Sequence, residues 1–392
     1  MKPPNTALSR FGTTIFTRMS ALAAQCGAVN LGQGFPDEEG PEEIRRAAAE
    51  ALIEGPNQYP PMRGLDALRQ AVAVHDRRFH GLDVDWQGET LITSGATEAL
   101  ACCFFGLLDP GDEVVLIEPL YDSYLPIVER AGAVARRVRL QPPDWKLPRD
   151  ALAAAFTTKT KLLVLNSPLN PAGKVLTRDE LTFLAELIAA HDAYAVCDEV
   201  YEHLTFDGRP HLPLITLPGM RERCLRVGSA GKAFSVTGWK VGWVVGAPPL
   251  IDAAARAHQF LTFTTPPNLQ RAVAAALALD DTYFSSLAKS QQGKRDRLAG
   301  GLVAAGFGVL DTAGTYFLVA DYRPLDPDGH YADDGEFCSH LTRDAGVAAI
   351  PVSAFYGDDA PQGFIRFCFC KRDAVLDEAI ERLRRYFVAA GS

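Results

Sequence analysis

The residues best placed to do covalent chemistry lie in the stretch Val227-Gly228-Ser229-Ala230-Gly231-Lys232-Ala233-Phe234-Ser235. Small neighbours let a bulky group approach Lys232 closely. An amine kept dry, or held beside another cation, loses its proton more readily and can attack a carbonyl to form a Schiff base. A second lysine, Lys240, follows eight residues later in Thr237-Gly238-Trp239-Lys240-Val241-Gly242-Trp243. With Ser229 it could hold an anion such as a phosphate. A polar turn carrying two surface lysines would show the same letters, so the rest of the chain has to decide.

Further residues point the same way. Ser94-Gly95-Ala96-Thr97-Glu98 follows an apolar run and opens a helix, where free backbone N–H groups can cradle an anion. An ordinary cap at Ser94 or Thr97 explains the same letters. Asp198 ends the apolar run Ala193 to Cys197. Burial there would raise its pKa, and a cationic partner would lower it; a plain turn or cap is the alternative. Asn170, Tyr201 and Tyr121 each follow a predicted strand and are open to hydrogen bonding or stacking on a ring, although core packing would serve any single aromatic as well. Arg366 interrupts the apolar run Phe364-Ile365-Arg366-Phe367-Cys368. It either snorkels to solvent or offers a planar fork to a carboxylate. A Schiff-base lysine, a phosphate cradle, a buried aspartate and an arginine clamp fit one cofactor well, pyridoxal 5'-phosphate. Lys232 would hold its aldehyde and Asp198 would keep its pyridine nitrogen protonated. Asn170 and Tyr201 would bind its phenolic oxygen, and Tyr121 would stack on its face.

The elements that must position these groups alternate between strand and helix. Strands are predicted at Glu89 to Thr93, Asp112 to Ile117, Ala133 to Leu140, Lys161 to Leu165, Ala193 to Cys197, Leu225 to Gly228 and Val241 to Gly246. This pattern over residues 89–246 predicts an α/β domain built on a doubly wound, mostly parallel sheet. Ligands of such sheets sit beyond the carboxyl ends of the strands. Gly95, Tyr121, Asn170, Asp198 and Lys232 all follow strands closely, which predicts a single site. Helices are predicted at Thr13 to Ala24, Pro41 to Glu54, Leu65 to Phe79, Ala99 to Leu107, Arg178 to His191 (capped by Thr177), Leu269 to Leu279 and Tyr283 to Gly300. The last third mixes strands Tyr316 to Asp321, Val347 to Pro351 and Phe364 to Cys370 with helices Gly335 to Ala345 and Ala374 to Phe387, a small α+β domain. The expected division is 1–45 as N-terminal arm and part of the small domain, 46–280 as the large cofactor-binding domain and 281–392 as the small C-terminal domain. Asn30-Leu31-Gly32-Gln33-Gly34-Phe35-Pro36 lacks the third glycine of a dinucleotide fingerprint and runs into Phe-Pro, so that reading is rejected.

Composition narrows the class. Hydrophobic content of 47% with 22% charged residues suits a soluble globular protein. A net charge of -9 without a long basic run argues against a nucleic-acid partner. No apolar run is long enough for a bilayer, so no membrane association is expected. Met1-Lys2-Pro3-Pro4-Asn5 has no apolar secretory core. The eight cysteines form no C-x-x-C pair and are expected to be reduced and buried in a cytoplasmic protein. No His/Cys pair has ligand spacing, so no metal is expected.

The motifs Ser94-Gly95-Ala96-Thr97, Asn166-Ser167-Pro168-Leu169-Asn170-Pro171-Ala172-Gly173, Asp198-Glu199-Val200-Tyr201 and Ser229-Ala230-Gly231-Lys232, with Arg366, resemble class I pyridoxal-phosphate aminotransferases of fold type I. The likeness covers nearly the whole chain. Within that class Thr14 to Ala23, Asn30 to Pro36 and Thr237 to Trp243 are similar to the methionine aminotransferase and kynurenine/glutamine transaminase branch.

The resemblance implies roles. Lys232 would be the catalytic residue, binding the cofactor and shuttling the substrate proton. Asp198 would pair with the pyridine nitrogen, with Asn170 and Tyr201 at the phenolic oxygen and Tyr121 on the ring. Gly95, Ala96, Thr97, Ser229 and Lys240 would surround the phosphate, and Tyr59 would reach it from the other subunit of a homodimer with shared sites. Lys240 stands where aspartate aminotransferases carry arginine, as is common in this branch. Arg366 would bind the substrate α-carboxylate, helped by Asn170 and Gly34, and Pro119 and Pro171 would be cis. Phe16, Tyr59, Tyr121, Phe355 and Phe263 (from the partner) would line the side-chain pocket. With no second arginine to clamp a side-chain carboxylate, the expected donors are methionine, glutamine, aromatic or kynurenine-like amino acids, in ping-pong exchange with an α-keto acid. Two other activities share the same lysine: a cysteine-S-conjugate β-lyase, and a biosynthetic aminotransferase for N-succinyl-diaminopimelate. A non-enzymatic regulator of this fold is disfavoured, because such regulators carry an N-terminal DNA-binding extension and the fold here is expected to start within about 30 residues.

Overall fold

The computed structural model describes residue 2 and residues 4–387. Seven strands form its central sheet: β1 (Thr90–Thr93), β2 (Glu113–Glu118), β3 (Val134–Arg139), β4 (Thr160–Asn166), β5 (Tyr194–Asp198), β6 (Cys224–Ser229) and β7 (Gly242–Gly246). Their spatial order is β1-β7-β6-β5-β4-β2-β3. Strand β7 runs antiparallel to both neighbours, and the other pairings are parallel. Side chains alternate between the faces of a strand, so a strand covered on both faces must be apolar throughout. In β4, Leu163 and Leu165 join the core that holds Leu184 and Ile188, whereas Leu162 and Val164 join the core that holds Leu100 and Ile251. Helix Arg178–Ala190 supplies the first pair and helices Gly95–Leu107 and Pro248–Leu261 supply the second. Each face of the sheet is thus sealed by helices.

A second sheet of four strands lies in the C-terminal third: β8 (Gly308–Val309), β9 (Phe317–Asp321), β10 (Ile350–Pro351) and β11 (Phe364–Cys368), in spatial order β10-β11-β9-β8. Its core also takes Met19 and Leu31 from the chain's beginning. Val29–Asn30 pairs in parallel with Val347–Ala348, which ties the N-terminal segment to this part of the molecule. The long helix Asp281–Ala304 joins the two cores, with Phe284 in the first and Leu298 and Leu302 in the second.

Several details differ from the sequence reading. Helices Tyr124–Arg130, Arg149–Ala155 and Pro248–Leu261 were not expected. Pro126 sits within the first of them. The helix expected from Ala99 starts at Gly95, because Gly95 takes φ +76 and turns the chain at once. The single strand expected over Val347 to Pro351 is two, split at Ala349, since Val347–Ala348 and Ile350–Pro351 pair with different partners. Helix Gly335 to Ala345 is an α-helix at Asp334–His340 continued by a π turn at Leu341–Ala345. Cys26 is exposed, unlike the other seven cysteines. Thr177 does cap its helix, in a reciprocal capping box with Glu180. The peptides before Pro119 and Pro171 are cis.

Candidate active site

The carboxyl ends of β4, β5 and β6 lie side by side, because Asn166 pairs with Asp198 and Asp198 with Val227. A cavity of about 180 Å³ opens above them. Gly95, Ala96, Thr97, Tyr121, Asn170, Asp198, Tyr201, Ser229, Lys232 and Lys240 all line it. These are ten of the residues singled out from sequence, drawn from six separate stretches of the chain. Tyr124, Asn166, Gly231 and Thr237 line it as well and were not foreseen in that role.

Lys232 sits in the short helix Ala230–Ala233 after β6. Its Nζ donates to the Tyr316 hydroxyl at 2.9 Å, and that hydroxyl donates to the Gly34 carbonyl at 2.7 Å. Burial holds the ammonium pKa below the ordinary lysine value, and Lys240 adds to the effect. Asp198 opposes it. Tyr316 was missed because nothing about a tyrosine opening a predicted strand marks it as facing a lysine 84 residues earlier.

Asp198 is the mirror case. Burial pushes its carboxyl pKa up, and the Tyr124 hydroxyl (2.6 Å), the Val200 N–H and Lys232 only partly offset this. Tyr124 stands three residues past Tyr121, on the unforeseen helix Tyr124–Arg130.

At the other end of the cavity, helix Gly95–Leu107 presents its first turn. Ser94 makes no side-chain capping bond, which removes the ordinary-cap reading at that position. Gly242 lets β7 pass this turn: a Cβ there would meet Gly95 C at 2.7 Å and Ala96 N at 2.9 Å. Lys240 lies beside the same turn in left-handed backbone, φ +54, with its Cε 3.3 Å from where a Gly95 Cβ would be. A non-glycine residue held in that conformation is one mark of a constrained site.

Arg366 lies beneath, on β11. It is 1% exposed, yet its Nη1 donates to Asn170 Oδ1 (3.1 Å), its Nη2 to the Gly32 carbonyl (2.6 Å), and its Nε to nothing. Both partners are neutral oxygens, and burial lowers its pKa to about 10. Phe317 (3.9 Å), Phe16 and Phe355 (both 5.1 Å) stack around the guanidinium. Gly34 must be glycine here, since a Cβ would strike the Phe317 ring at 2.6 Å.

Tyr59 and Phe263 do not join the cavity. They meet edge to face at 5.4 Å on the surface, 83% and 41% exposed. Two ligand-like clusters, His75/His80/Glu202 and Glu98/Cys102/His258, each pair two residues of one helix with a third from a distant segment, which local spacing does not show.

The cavity therefore holds a carboxyl short of positive charge, a depressed lysine and an open helix N-terminus, and its Asn170 is bonded by a guanidinium short of negative charge. Comparison with known proteins agrees with this picture. The chain matches the family model "Aminotransferase class I and II" over residues 27–383. It is 40% identical to methionine aminotransferase of Escherichia coli, over 97% of this chain and 98% of that one. It is 38% identical to kynurenine–oxoglutarate transaminase of Dictyostelium discoideum, over 97% and 95%. The solved structure of N-succinyldiaminopimelate aminotransferase from Mycobacterium tuberculosis superposes with a TM-score of 0.94 at 48% identity, covering 97% of this chain and 99% of that one. The chain is an aminotransferase, a member of the class I and II family with the fold of type I.

Proposed function

We propose that the chain uses pyridoxal 5'-phosphate to move the amino group of an L-amino acid to an α-keto acid by a ping-pong route, with Lys232 as the residue that does the chemistry. The single observation that carries this reading is the buried Arg366, which forms no ion pair among the described residues and bonds Asn170, a residue that lines the cavity of Lys232 and Asp198. When bound, the cofactor supplies an electron sink for the carbanion at the substrate Cα. Asp198, raised by burial, gains the cation it lacks from a protonated pyridine nitrogen. Asn170 and Tyr201 bind the phenolic oxygen, and Tyr121 covers the ring. Gly95 and Ala96 offer backbone N–H groups to the phosphate, with Thr97, Ser229 and Lys240 around it. Lys232 carries the aldehyde between turnovers and moves the proton at Cα, a task suited to an amine with a lowered pKa. Arg366 takes the α-carboxylate through its free fork, beside Asn170 and Gly34.

A homodimer with shared sites is part of the proposal. Its support is the exposed Tyr59–Phe263 pair, two large aromatic side chains lying outside their own chain's cavity. The division at residues 45 and 280 is supported by a core built mostly from residues after 280 together with Met19 and Leu31, which Val200, Tyr201, Leu204 and Phe206 of the large domain also enter. A reducing, cytoplasmic setting is supported by eight unpaired cysteines. Among the described residues no helix is long and apolar enough to cross a membrane.

The rings of Phe16, Phe355 and Tyr121 favour methionine, glutamine, aromatic or kynurenine-like donors. The 48% identity to the Mycobacterium tuberculosis enzyme favours a second reading, a succinylated diamino acid. One experiment separates them. The purified protein, loaded with pyridoxal phosphate, is titrated with methionine, kynurenine, N-succinyl-diaminopimelate and aspartate while its absorbance is followed. Bleaching of the cofactor band by the first two ranks the aromatic-pocket reading ahead, and preferential bleaching by the third ranks the biosynthetic one ahead. A strong preference for aspartate sinks both, and a protein that acquires no cofactor band refutes the reading of Lys232.

A further inference from the structure

His258 is fully buried on the helix Pro248–Leu261, away from the cavity. Its Nδ1 lies 2.7 Å from Glu98 Oε1 and its Nε2 3.0 Å from the Met62 carbonyl. Glu98 also accepts from the Ser94 N–H at 2.6 Å and from the Cys102 thiol at 3.0 Å. A carboxyl group receiving that many donors is an acceptor, and a carbonyl can be nothing else. Both ring nitrogens of His258 are thus engaged, one at the Glu98 carboxyl and the other at the Met62 carbonyl.

What it joins gives this buried ring a task. On one side Glu98 stands in the first turn of the helix whose opening residues, Gly95 to Thr97, line the cavity. On the other side Met62 ends the run Tyr59-Pro60-Pro61-Met62. Two prolines with fixed φ make that run stiff, so the position of Met62 is passed on to Tyr59. The same loop is fastened again by the ion pair of Arg63 with Asp252, which shares His258's helix, and by the Leu65 N–H donating to Gln270 Oε1 at 2.7 Å.

We propose that His258 is a positioning residue that ties the anion-binding turn of one site to the Tyr59 loop serving the partner's site, and so sets how firmly the dimer retains its cofactor. The inference rests on the pyridoxal-phosphate and homodimer reading above. Within one chain, the helix turn holds the phosphate of its own site while Tyr59 holds that of its neighbour, so His258 links the two sites of the pair.

The test is a double-mutant cycle on cofactor release, read as the first-order loss of the bound-cofactor absorbance from holoenzyme after dilution into an aldehyde trap. His258→Gln keeps one of the two hydrogen bonds and is expected to speed release roughly tenfold. Tyr59→Phe is expected to speed it by a similar factor. The double variant is expected to release no faster than Tyr59→Phe alone, because His258 acts through Tyr59. Glu98→Gln, which keeps the shape and removes the charge, should show the same non-additivity with Tyr59→Phe and carries the test if His258→Gln does not fold. Rates that multiply in the double variants overturn the proposal, as does a His258→Gln enzyme that releases cofactor at the wild-type rate. A wild-type protein that never takes up the cofactor would instead refute the functional reading on which the proposal stands.

Discussion

Two arginines in this molecule are almost completely withdrawn from water, and they live in opposite electrostatic worlds. Arg226 on β6 is 0% exposed and Arg366 on β11 is 1% exposed. Arg226 is saturated: its Nε, Nη1 and Nη2 reach Glu199, Asp76 and Glu202. Those three carboxylates overcome the burial penalty and drive its pKa above the ordinary arginine value. Burial pushes the Glu202 carboxyl up as well, but Arg226 and the surrounding histidines outweigh it and hold the group well below the usual range. Arg366 instead touches two neutral oxygens and three aromatic rings, keeps an unused Nε, and is pulled down to about 10. A buried cation costs free energy unless an anion accompanies it. In Arg226 the fold itself supplies the anion, and the residue is structural. In Arg366 the fold withholds it, which supports the proposed role of receiving a substrate carboxylate. Burial alone does not distinguish a structural charge from a functional one; what fills its hydrogen-bonding positions does.

That contrast can be broken experimentally. The largest expected effect is on Arg226→Met, which strands three carboxylates in a solvent-free cluster. It should cost about 3–5 kcal/mol of stability, read as a fall in denaturation midpoint or as insoluble expression. Arg366→Met should do the reverse. Its melting temperature should not fall, since an unpaired buried charge is removed, while kcat/KM drops by about 2–5 kcal/mol of transition-state binding, ~30-fold to several-thousand-fold. Equal losses of stability in the two variants would erase the distinction.

A smaller effect sharpens the comparison. A non-reactive α-carboxylate analogue of the donor at one hundred times its Kd should stabilise the wild type by about 2.7 kcal/mol, and Arg366→Met hardly at all. A melting shift of equal size in both proteins would place the carboxylate elsewhere. The smallest signal is the pH dependence. Because Glu199 and Glu202 have depressed folded-state pKa values, their contribution to stability is complete above the unfolded value of about 4.3 and is lost as pH falls through the lower folded value. In Arg226→Met the same carboxyls keep the burial and lose the principal cation, so their pKa values rise. Stability of that variant should then increase as pH is lowered from neutrality, by up to about 1.4 kcal/mol per pH unit for each proton taken up. A stability profile parallel to the wild type would show that Arg226 does not govern these groups.

How much of this was legible beforehand follows from which interactions are local. The apolar runs of β4 and β5, the turn after β1 and the Thr177 capping box are properties of neighbouring residues, and the sequence displayed them. So too the cavity-lining residues at strand ends, because a parallel sheet puts every carboxyl end on one edge. The helix Tyr124–Arg130 was not legible, since a short segment interrupted by Pro126 has weak periodicity and is held by packing. Tyr316, Tyr124 and His258 were likewise hidden: each bonds a partner 74 to 282 residues away, Tyr124 with Asp198 and Tyr316 with Gly34 at the two extremes.

By itself the sequence determined the alternating architecture and singled out Lys232 for the proposed chemistry, since residue type, strand periodicity and turn composition are inscribed along the chain. Only the tertiary structure decided which buried charges are already satisfied. Arg226 and Arg366 are both single arginines in apolar runs, Leu225-Arg226-Val227 and Ile365-Arg366-Phe367. Whether a carboxylate waits opposite depends on segments brought together in space, from 24 residues away for Glu202 to 150 for Asp76, and electrostatic energy depends on that spatial distance.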